Sequence, residues 1–251
     1  DDSWHLATQL THTPMDYAYM SENTKAAELK KYDLLIYSHP CILTKKIADT
    51  LTEYVTEGGT LVIGARTGFK DEYGRCPMTS VPGFMKNIAN VESADHTLIG
   101  PLDEQVSATW DNEKIDMPVF NEILEPTSKD TNILATYDNS YYANMSAVTE
   151  SIVGKGRVIM VGGAFSTQMA EKILEYTDTL NPYKDLLTLP KECEIAIRKK
   201  DNTEYIFILN YSKDEKTIYL HKECIDLIDQ KTVKVTESIK GYGVILLKPR
   251  G

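Results

Sequence analysis

The residues best placed to carry chemistry form the pentapeptide Gly64-Ala65-Arg66-Thr67-Gly68. Its spacing is that of the nucleophile elbow, Gly-x-nucleophile-x-Gly, in which a sharp turn presents a serine or a cysteine. The central residue here is Arg66, and a guanidinium stays protonated at any usable pH, so it cannot attack a substrate. We therefore expect a turn without a nucleophile, in which Arg66 pairs with Asp71, with Glu72 or with a carboxylate on a neighbouring chain.

Three other features could carry chemistry, and each has a simpler explanation. Gly154-Lys155-Gly156 lacks the spacing of a phosphate-binding loop and precedes a strand instead of a helix, which favours a hairpin turn. His39 has no acidic partner nearby in sequence and is interpreted as a hydrogen-bonding loop residue. The four cysteines are far apart, which argues against a zinc site and favours a reducing compartment, although two disulfides remain open. We expect no metal and no cofactor.

The elements around the pentapeptide predict an α/β core. Tyr32 to Tyr37 and Thr60 to Ile63 are short apolar runs typical of buried strands. Between them, apolar residues at helical spacing from 47 to 55 predict a helix that Thr44 caps and Gly58-Gly59 ends. A strand, a helix and a strand with tight connections imply a parallel sheet flanked by helices. Open parallel sheets bind ligands beyond the carboxyl ends of their strands, which is where the pentapeptide lies.

The rest of the first half of the chain is less uniform. Residues 69–131 are the least regular region, because prolines and charged residues interrupt the pattern. Regular structure resumes with a hairpin of residues 146–153 and 157–161. Apolar residues on one face predict a closing helix over 165–179.

Near residue 182 the pattern changes. From Cys193 onward, short strands alternate with polar turns, as in a small antiparallel β-domain. We therefore predict two domains: an α/β domain over residues 1–182 and an antiparallel β-sandwich domain over residues 183–251.

Charge and hydropathy exclude two classes of partner. The net charge of −10 is unfavourable for binding nucleic acid or an anionic membrane surface, both of which require clustered Lys and Arg. No apolar run approaches the roughly 20 residues that span a bilayer. The chain begins at Asp1 with neither an initiating Met nor a signal-peptide pattern, so we expect a piece of a longer protein that is cytoplasmic.

Several segments of the first domain form a recognisable set. They are Tyr32-Asp33-Leu34-Leu35-Ile36, the helix into Val55-x-x-Gly58-Gly59-Thr60-Leu61-Val62, the Arg66-x-Gly68 turn, the loop with Asp71, Glu72 and Arg75, and Gly154-Lys155-Gly156-Arg157-Val158. In this order they resemble the trimerisation domain of the family-42 glycoside hydrolases, the microbial β-galactosidases. The family usually has Gly-x-Pro-Ala-x-Thr before the hairpin. This chain has Asn144-Met145-Ser146-Ala147-Val148-Thr149 there and lacks the Gly and the Pro.

The second domain continues the resemblance. Phe207-Ile208-Leu209-Asn210-Tyr211-Ser212 and the stretch from Asp226-Leu227-Ile228 to Gly241-Tyr242-Gly243-Val244 resemble the family's C-terminal domain. The resemblance implies a flavodoxin-like, class I glutamine amidotransferase-like fold for the first domain. It also implies a homotrimeric β-galactosidase as the parent, in which this region serves assembly and shapes the active site.

The resemblance also implies that this chain lacks the catalytic part of the family. That part is an N-terminal (β/α)8 barrel with two glutamates, which would bind the galactoside. Retaining hydrolysis needs an acid/base and a nucleophile about 5 Å apart, and no acidic residue here can be assigned to such a pair. We therefore predict no catalytic residue. The structural or interface candidates are Arg66, Asp71, Glu72, Arg75 and Trp110.

Two alternatives from other functional classes remain open at this point. One is a stand-alone amidotransferase-like protein, although Arg66 occupies the place of the nucleophilic cysteine. The other is a carbohydrate-binding module in which exposed Tyr side chains or Trp110 stack on sugar rings. An open reading frame that extends upstream into a barrel would favour the β-galactosidase, and a start codon close to Asp1 would favour the alternatives.

Overall fold

A computed structural model describes residues 15, 17–181 and 183–250 of this chain. The first fourteen residues of the predicted α/β domain lie outside the described part, as does residue 182 at its predicted end. The described residues divide into two compact units. The first is Met20–Ile173, and the second contains residues 174–181 and 183–250 together with residues 15 and 17–19.

The first unit contains nine strands, three helices and the start of a fourth within its described residues. The helices are α1 (Ala26–Leu29), α2 (Lys45–Thr56), α3 (Lys86–Ala89), which a 3-10 turn at Gly83–Met85 precedes, and α4 (Thr167–Tyr176). The strands are β1 (Leu34–Tyr37), β2 (Thr60–Gly64), β3 (Val91–Leu98), β4 (Ser107–Trp110), β5 (Glu113–Asp116), β6 (Phe120–Pro126), β7 (Asn132–Tyr137), β8 (Ser146–Val153) and β9 (Gly156–Val161).

Seven of these strands form one mixed sheet in the order β1-β2-β9-β8-β7-β4-β5. The predicted parallel pairing of β1 with β2 is confirmed, and β9 extends it in parallel. The sheet is mixed and not parallel throughout, because β8 and β9 form the predicted hairpin at Gly154 and run antiparallel. The remaining strands continue the sheet with antiparallel pairings.

Helix α2 forms as its sequence predicts. The Thr44 hydroxyl accepts a hydrogen bond from the Ile47 N–H at 3.3 Å and caps the first turn. At the other end Gly58 adopts a φ of 122°, which ends the helix. Its apolar face packs into a core with buried residues of β2 and β9. This packing fixes the position of β2, whose end carries the pentapeptide.

Residues 69–131 are more regular than the sequence indicates. Strands β3 and β6 pair as an antiparallel ribbon, and β4 and β5 join the edge of the large sheet. The prediction of an irregular region was therefore wrong. Both faces of β6 are buried from Phe120 to Leu124, including Asn121 and Glu122, so the alternation that marks a strand in sequence is absent.

The second unit is an antiparallel β-structure. Its strands are β10 (Leu187–Thr188), β11 (Cys193–Lys200), β12 (Thr203–Asn210), β13 (Lys216–Leu220), β14 (Cys224–Asp226), β15 (Lys231–Val233), β16 (Thr236–Ile239) and β17 (Val244–Pro249). Three of them form the sheet β10-β13-β16, and five form the sheet β11-β12-β17-β14-β15. Side chains from both sheets share one hydrophobic core, so the predicted antiparallel β-structure is confirmed. Within the described residues, no helix of either unit is long and apolar enough to cross a membrane.

Candidate functional site

The pentapeptide forms a sharp turn at the end of β2. Arg66 has a φ of 64°, in the left-handed region that residues other than glycine rarely enter. The Thr67 hydroxyl donates a hydrogen bond to the Gly64 carbonyl at 2.6 Å, and the Gly68 N–H donates one to the Pro40 carbonyl at 2.9 Å. These bonds tie the turn to the end of β2 and to the loop after β1. The backbone thus has the strained form of an elbow, with an arginine at its tip.

A buried carboxylate stabilises the strained residue. Oε1 of Glu122 accepts a hydrogen bond from the Arg66 N–H at 2.8 Å, and Glu122 is only 1% exposed. Burial raises the pKa of Glu122 to about 7, while the Arg66 N–H bond and the guanidinium charge of Arg66 act in the opposite direction. The other oxygen, Oε2, is also buried and has no hydrogen-bond partner among the described residues.

The Arg66 side chain lies against aromatic rings. Its guanidinium carbon is 5.3 Å from the ring centroid of Phe69 and 5.4 Å from that of Phe120. His96 stacks on Phe120 at 5.5 Å and contacts Phe69 edge-on at 6.0 Å. The strand pairing explains the cluster, because Phe120 and Glu122 share a face of β6 and His96 is the cross-strand partner of Glu122.

A second strained residue borders this cluster. Val119 has a φ of 70°, and the Phe120 N–H donates to the Pro118 carbonyl at 2.8 Å, which makes a three-residue γ-turn. A β-branched residue with positive φ is a genuine outlier. The Val119 side chain is 60% exposed. We call the group of Arg66, Phe69, His96, Val119 and Phe120 the elbow surface.

The predicted ion pair between Arg66 and Asp71 or Glu72 is not found among the described residues. The Asp71 carboxylate instead accepts hydrogen bonds from the Tyr73 and Arg75 backbone N–H groups at 2.9 and 2.8 Å, which closes its own turn. Glu72 is exposed, and the guanidinium of Arg75 lies 5.6 Å from the Tyr73 ring centroid. Asp71, Glu72 and Arg75 therefore form a surface turn that is stabilised internally.

Trp110 occupies a different environment from the other predicted residues. It lies at the end of β4 and is only 1% exposed, so it is a core residue of the first unit. A buried indole cannot stack on a sugar from solvent, and the burial removes the basis on which Trp110 was considered for sugar binding.

The sequence reasoning missed His96, Phe120 and Glu122. The signal that could have identified them is the Asn121-Glu122 pair inside the run Phe120 to Leu124, because charged residues within buried strands are rare unless they have a specific role. His39, in contrast, lies where the sequence places it. Its Nδ1 is 2.9 Å from the Ala65 carbonyl oxygen, so it acts as a hydrogen-bonding loop residue beside the turn.

This arrangement supports recognition better than catalysis. The tip of the turn carries a cation in place of a nucleophile, and the carboxylate beneath it is enclosed. Among the described residues, no group of His, Cys, Asp and Glu has the geometry to hold a metal ion. The four cysteines are free thiols, and Cys193 and Cys224 are buried.

Comparison with protein-family models identifies the domain that contains this surface. The model of the β-galactosidase trimerisation domain matches residues 4–180, and that of the β-galactosidase C-terminal domain matches residues 193–249. The chain belongs to the family-42 β-galactosidases. It represents their non-catalytic C-terminal domains, and the turn with Arg66 lies in the trimerisation domain.

Curated relatives and solved structures agree with this assignment. β-Galactosidase BgaA of Clostridium cellulovorans is 25% identical over 228 residues, and BgaB of a Geobacillus species is 26% identical over 226 residues. Each alignment covers 88% of this chain and 33% of the relative, so this chain spans about a third of those proteins.

The solved structures establish the likeness of the fold. The β-galactosidase from Bacillus circulans sp. alkalophilus matches with a TM-score of 0.87 at 19% identity, over 99% of this chain and 37% of that one. The enzyme from Rahnella sp. R3 matches with a TM-score of 0.85 at 18% identity, over 98% of this chain and 36% of that one.

Proposed function

We propose that this chain is the assembly region of a homotrimeric β-galactosidase and that it helps to wall the active sites of that enzyme. The observation that carries the proposal is the elbow surface, which lies within the matched trimerisation domain and combines an exposed arginine with aromatic rings. Arginine and aromatic residues are enriched in protein interfaces. The turn of Asp71, Glu72 and Arg75 is stabilised by its own contacts, and we propose a structural role for it, outside the interface.

Hydrolysis of β-galactosides belongs, in this proposal, to the part of the parent enzyme that this chain does not contain. A retaining glycosidase needs an acid/base carboxyl and a nucleophilic carboxylate about 5 Å apart on either side of the scissile bond. The carboxylate of Glu122 is only 1% exposed, which denies it access to a substrate. The galactoside would therefore contact the catalytic barrel of the parent.

Three finer assignments accompany this proposal. The parallel strands β1, β2 and β9 and the left-handed residue at the elbow support an amidotransferase-like, flavodoxin-like ancestry for the first domain. We place the boundary between the domains at residue 182, with the α/β domain over 1–182 and the β-sandwich over 183–251. The free thiols support a cytoplasmic location.

Light scattering on the full-length parent enzyme tests the assembly proposal. A cyclic trimer needs two different complementary patches on each subunit. If this region supplies them, the parent enzyme should remain a trimer across the micromolar range. The same measurement on this chain shows how much of the contact it supplies by itself. A parent enzyme that stays monomeric at micromolar concentration would contradict the proposed role.

A further inference from the structure

The Arg66 guanidinium lies near two aromatic rings, and its hydrogen-bonding edge has no partner among the described residues. Its backbone N–H is bound to Glu122, and its side chain lies against Phe69 and Phe120. Within the described part of the chain, no residue accepts a hydrogen bond from its side-chain nitrogens or forms an ion pair with it. A guanidinium has five N–H donors in one plane, and all of them remain available.

The surroundings of this group select the kind of ligand. Phe69 and Phe120 lie 5.3 and 5.4 Å from the guanidinium carbon, and the in-plane N–H donors are the groups left to bind a ligand. A planar fork of donors matches the two oxygens of a carboxylate or a phosphate. The apolar neighbours Val119 and Leu98, which are 60% and 72% exposed, would exclude water around a bound anion. Phe120 pairs with Leu98 across the ribbon, which brings these side chains to one edge.

The composition of the chain indicates where the anion comes from. The chain has 37 acidic residues and 27 basic ones, so any second copy presents many carboxylates. The contacts of a cyclic trimer join two different patches, which permits a cationic patch on one subunit to meet an acidic patch on the next. A carboxylate of another subunit is therefore the ligand that the assembly proposal makes available at high local concentration.

We propose that the elbow surface is an inter-subunit carboxylate site, in which the Arg66 guanidinium binds an Asp or Glu side chain of a second copy of the parent subunit. The inference rests on the proposed assembly role and adds to it the contacting group and the chemistry of its partner. The site is incomplete in one chain, because the acceptor is supplied by the other copy.

The backbone around the site is held in an uncommon conformation by hydrogen bonds within the chain. The left-handed conformation of Arg66 is held by a buried carboxylate, and the γ-turn at Val119 fixes the neighbouring rim. Backbone strain of this kind persists only where the surrounding structure enforces it, and it concentrates at functional sites. A preorganised site loses less conformational entropy on binding, which favours affinity.

Sedimentation equilibrium on this chain and on matched variants tests the proposal. Arg66→Asn removes the charge and keeps a residue that tolerates the left-handed conformation, so the fold should survive. Arg75→Asn makes the same change at the exposed turn nearby and serves as the control. Circular dichroism and thermal midpoints establish that each variant is folded.

We expect Arg66→Asn to raise the dissociation constant of self-association by roughly thirtyfold or more, as for the loss of one partner of a desolvated charge pair. Arg66→Lys, which keeps the charge but loses the fork, should raise it by about tenfold. Arg75→Asn should change it by less than about twofold, as for an exposed charge. Equal association of the wild type and Arg66→Asn, or equal loss in Arg66→Asn and Arg75→Asn, would overturn the inference and leave the assembly role intact.

A chain that stays monomeric is tested with a small carboxylate. The side-chain Nε–H resonance of Arg66 is followed by ¹⁵N NMR during titration with sodium acetate, sodium phosphate or sodium chloride. Saturable shifts with acetate and none with chloride would support the carboxylate site. Absence of shifts with acetate, or tighter binding of phosphate than of acetate, would overturn it. A full-length parent enzyme that stays monomeric would instead contradict the assembly role itself. The two failures can therefore be told apart.

Discussion

The backbone N–H of Arg66 donates a hydrogen bond to the buried carboxylate of Glu122, which lies 56 positions further along the chain. The bond joins the tip of the turn after β2 to the centre of β6. It gives a rare backbone conformation a charged acceptor, which is a stronger partner than a neutral one. The cost is an enclosed carboxylate with one oxygen that has no partner among the described residues.

Glu122 should make the stability of the first unit depend on pH. Its folded-state pKa is raised from 4.5 to about 7, chiefly by burial. Below pH 4.5 Glu122 is protonated in both the folded and the unfolded states, so its ionisation does not lower the free energy of unfolding. Between 4.5 and about 7 the unfolded state binds fewer protons, so the free energy of unfolding falls as pH rises, by about 3 kcal/mol in total.

Glu122→Gln should remove this dependence and be more stable than the wild type above pH 7. Urea unfolding across the range, with the wild type as reference, measures the difference. Glu125→Gln, at an exposed carboxylate of the same strand, is the matched control and should retain the wild-type slope. A Glu122→Gln profile parallel to that of the wild type would disprove the assignment.

Gly156 is predicted to be intolerant of any side chain. A Cβ at this position would lie 2.2 Å from the Val55 carbonyl oxygen and 2.3 Å from that of Gly59, and neither backbone atom can move freely. Gly156→Ala should therefore destabilise the first unit by roughly 3 kcal/mol. Gly100→Ala, whose Cβ would lie 3.0 Å from the exposed Asp103 carboxylate and from no backbone atom, should cost about 1 kcal/mol or less. Similar thermal midpoints for the two variants would refute the steric argument.

The purified chain should hydrolyse no β-galactoside. The acid/base and the nucleophile that the reaction needs are assigned to the part of the parent that this chain lacks. A chromogenic galactoside provides the assay, and the full-length parent is the positive control. Turnover that copurifies with this chain from a host without its own β-galactosidase would contradict the assignment.

Arg66→Cys should not create a glutaminase. The variant places a thiol on the elbow, but the nearby histidines are engaged elsewhere: His39 contacts the Ala65 carbonyl, and His96 is stacked on Phe120. A thiol without a positioned base stays largely protonated at neutral pH. Release of ammonia from glutamine, measured against the wild type, would show that a base is within reach after all.

The sequence predicts local features of this fold better than long-range ones. Helix α2 with its Thr44 cap, the parallel pair β1 and β2, and the hairpin at Gly154 follow from propensity, capping and turn chemistry. The ribbon of β3 and β6 does not, because its pairing depends on contacts between distant residues and β6 is buried on both faces. The same limit applies to the site: Arg66 is recognisable from its spacing, but nothing near it in sequence indicates Glu122 or His96.

The burial of Trp110 gives the chain an internal fluorescent label. The sequence contains two tryptophans, and the other, Trp4, lies outside the described residues. In a Trp4→Phe variant, indole emission would report only on the environment at the end of β4. The second unit has no tryptophan among its described residues, so this emission would not report on it directly. Denaturation followed by indole emission would therefore show the loss of structure in the first unit, and circular dichroism in the same experiment would show the loss for the whole chain.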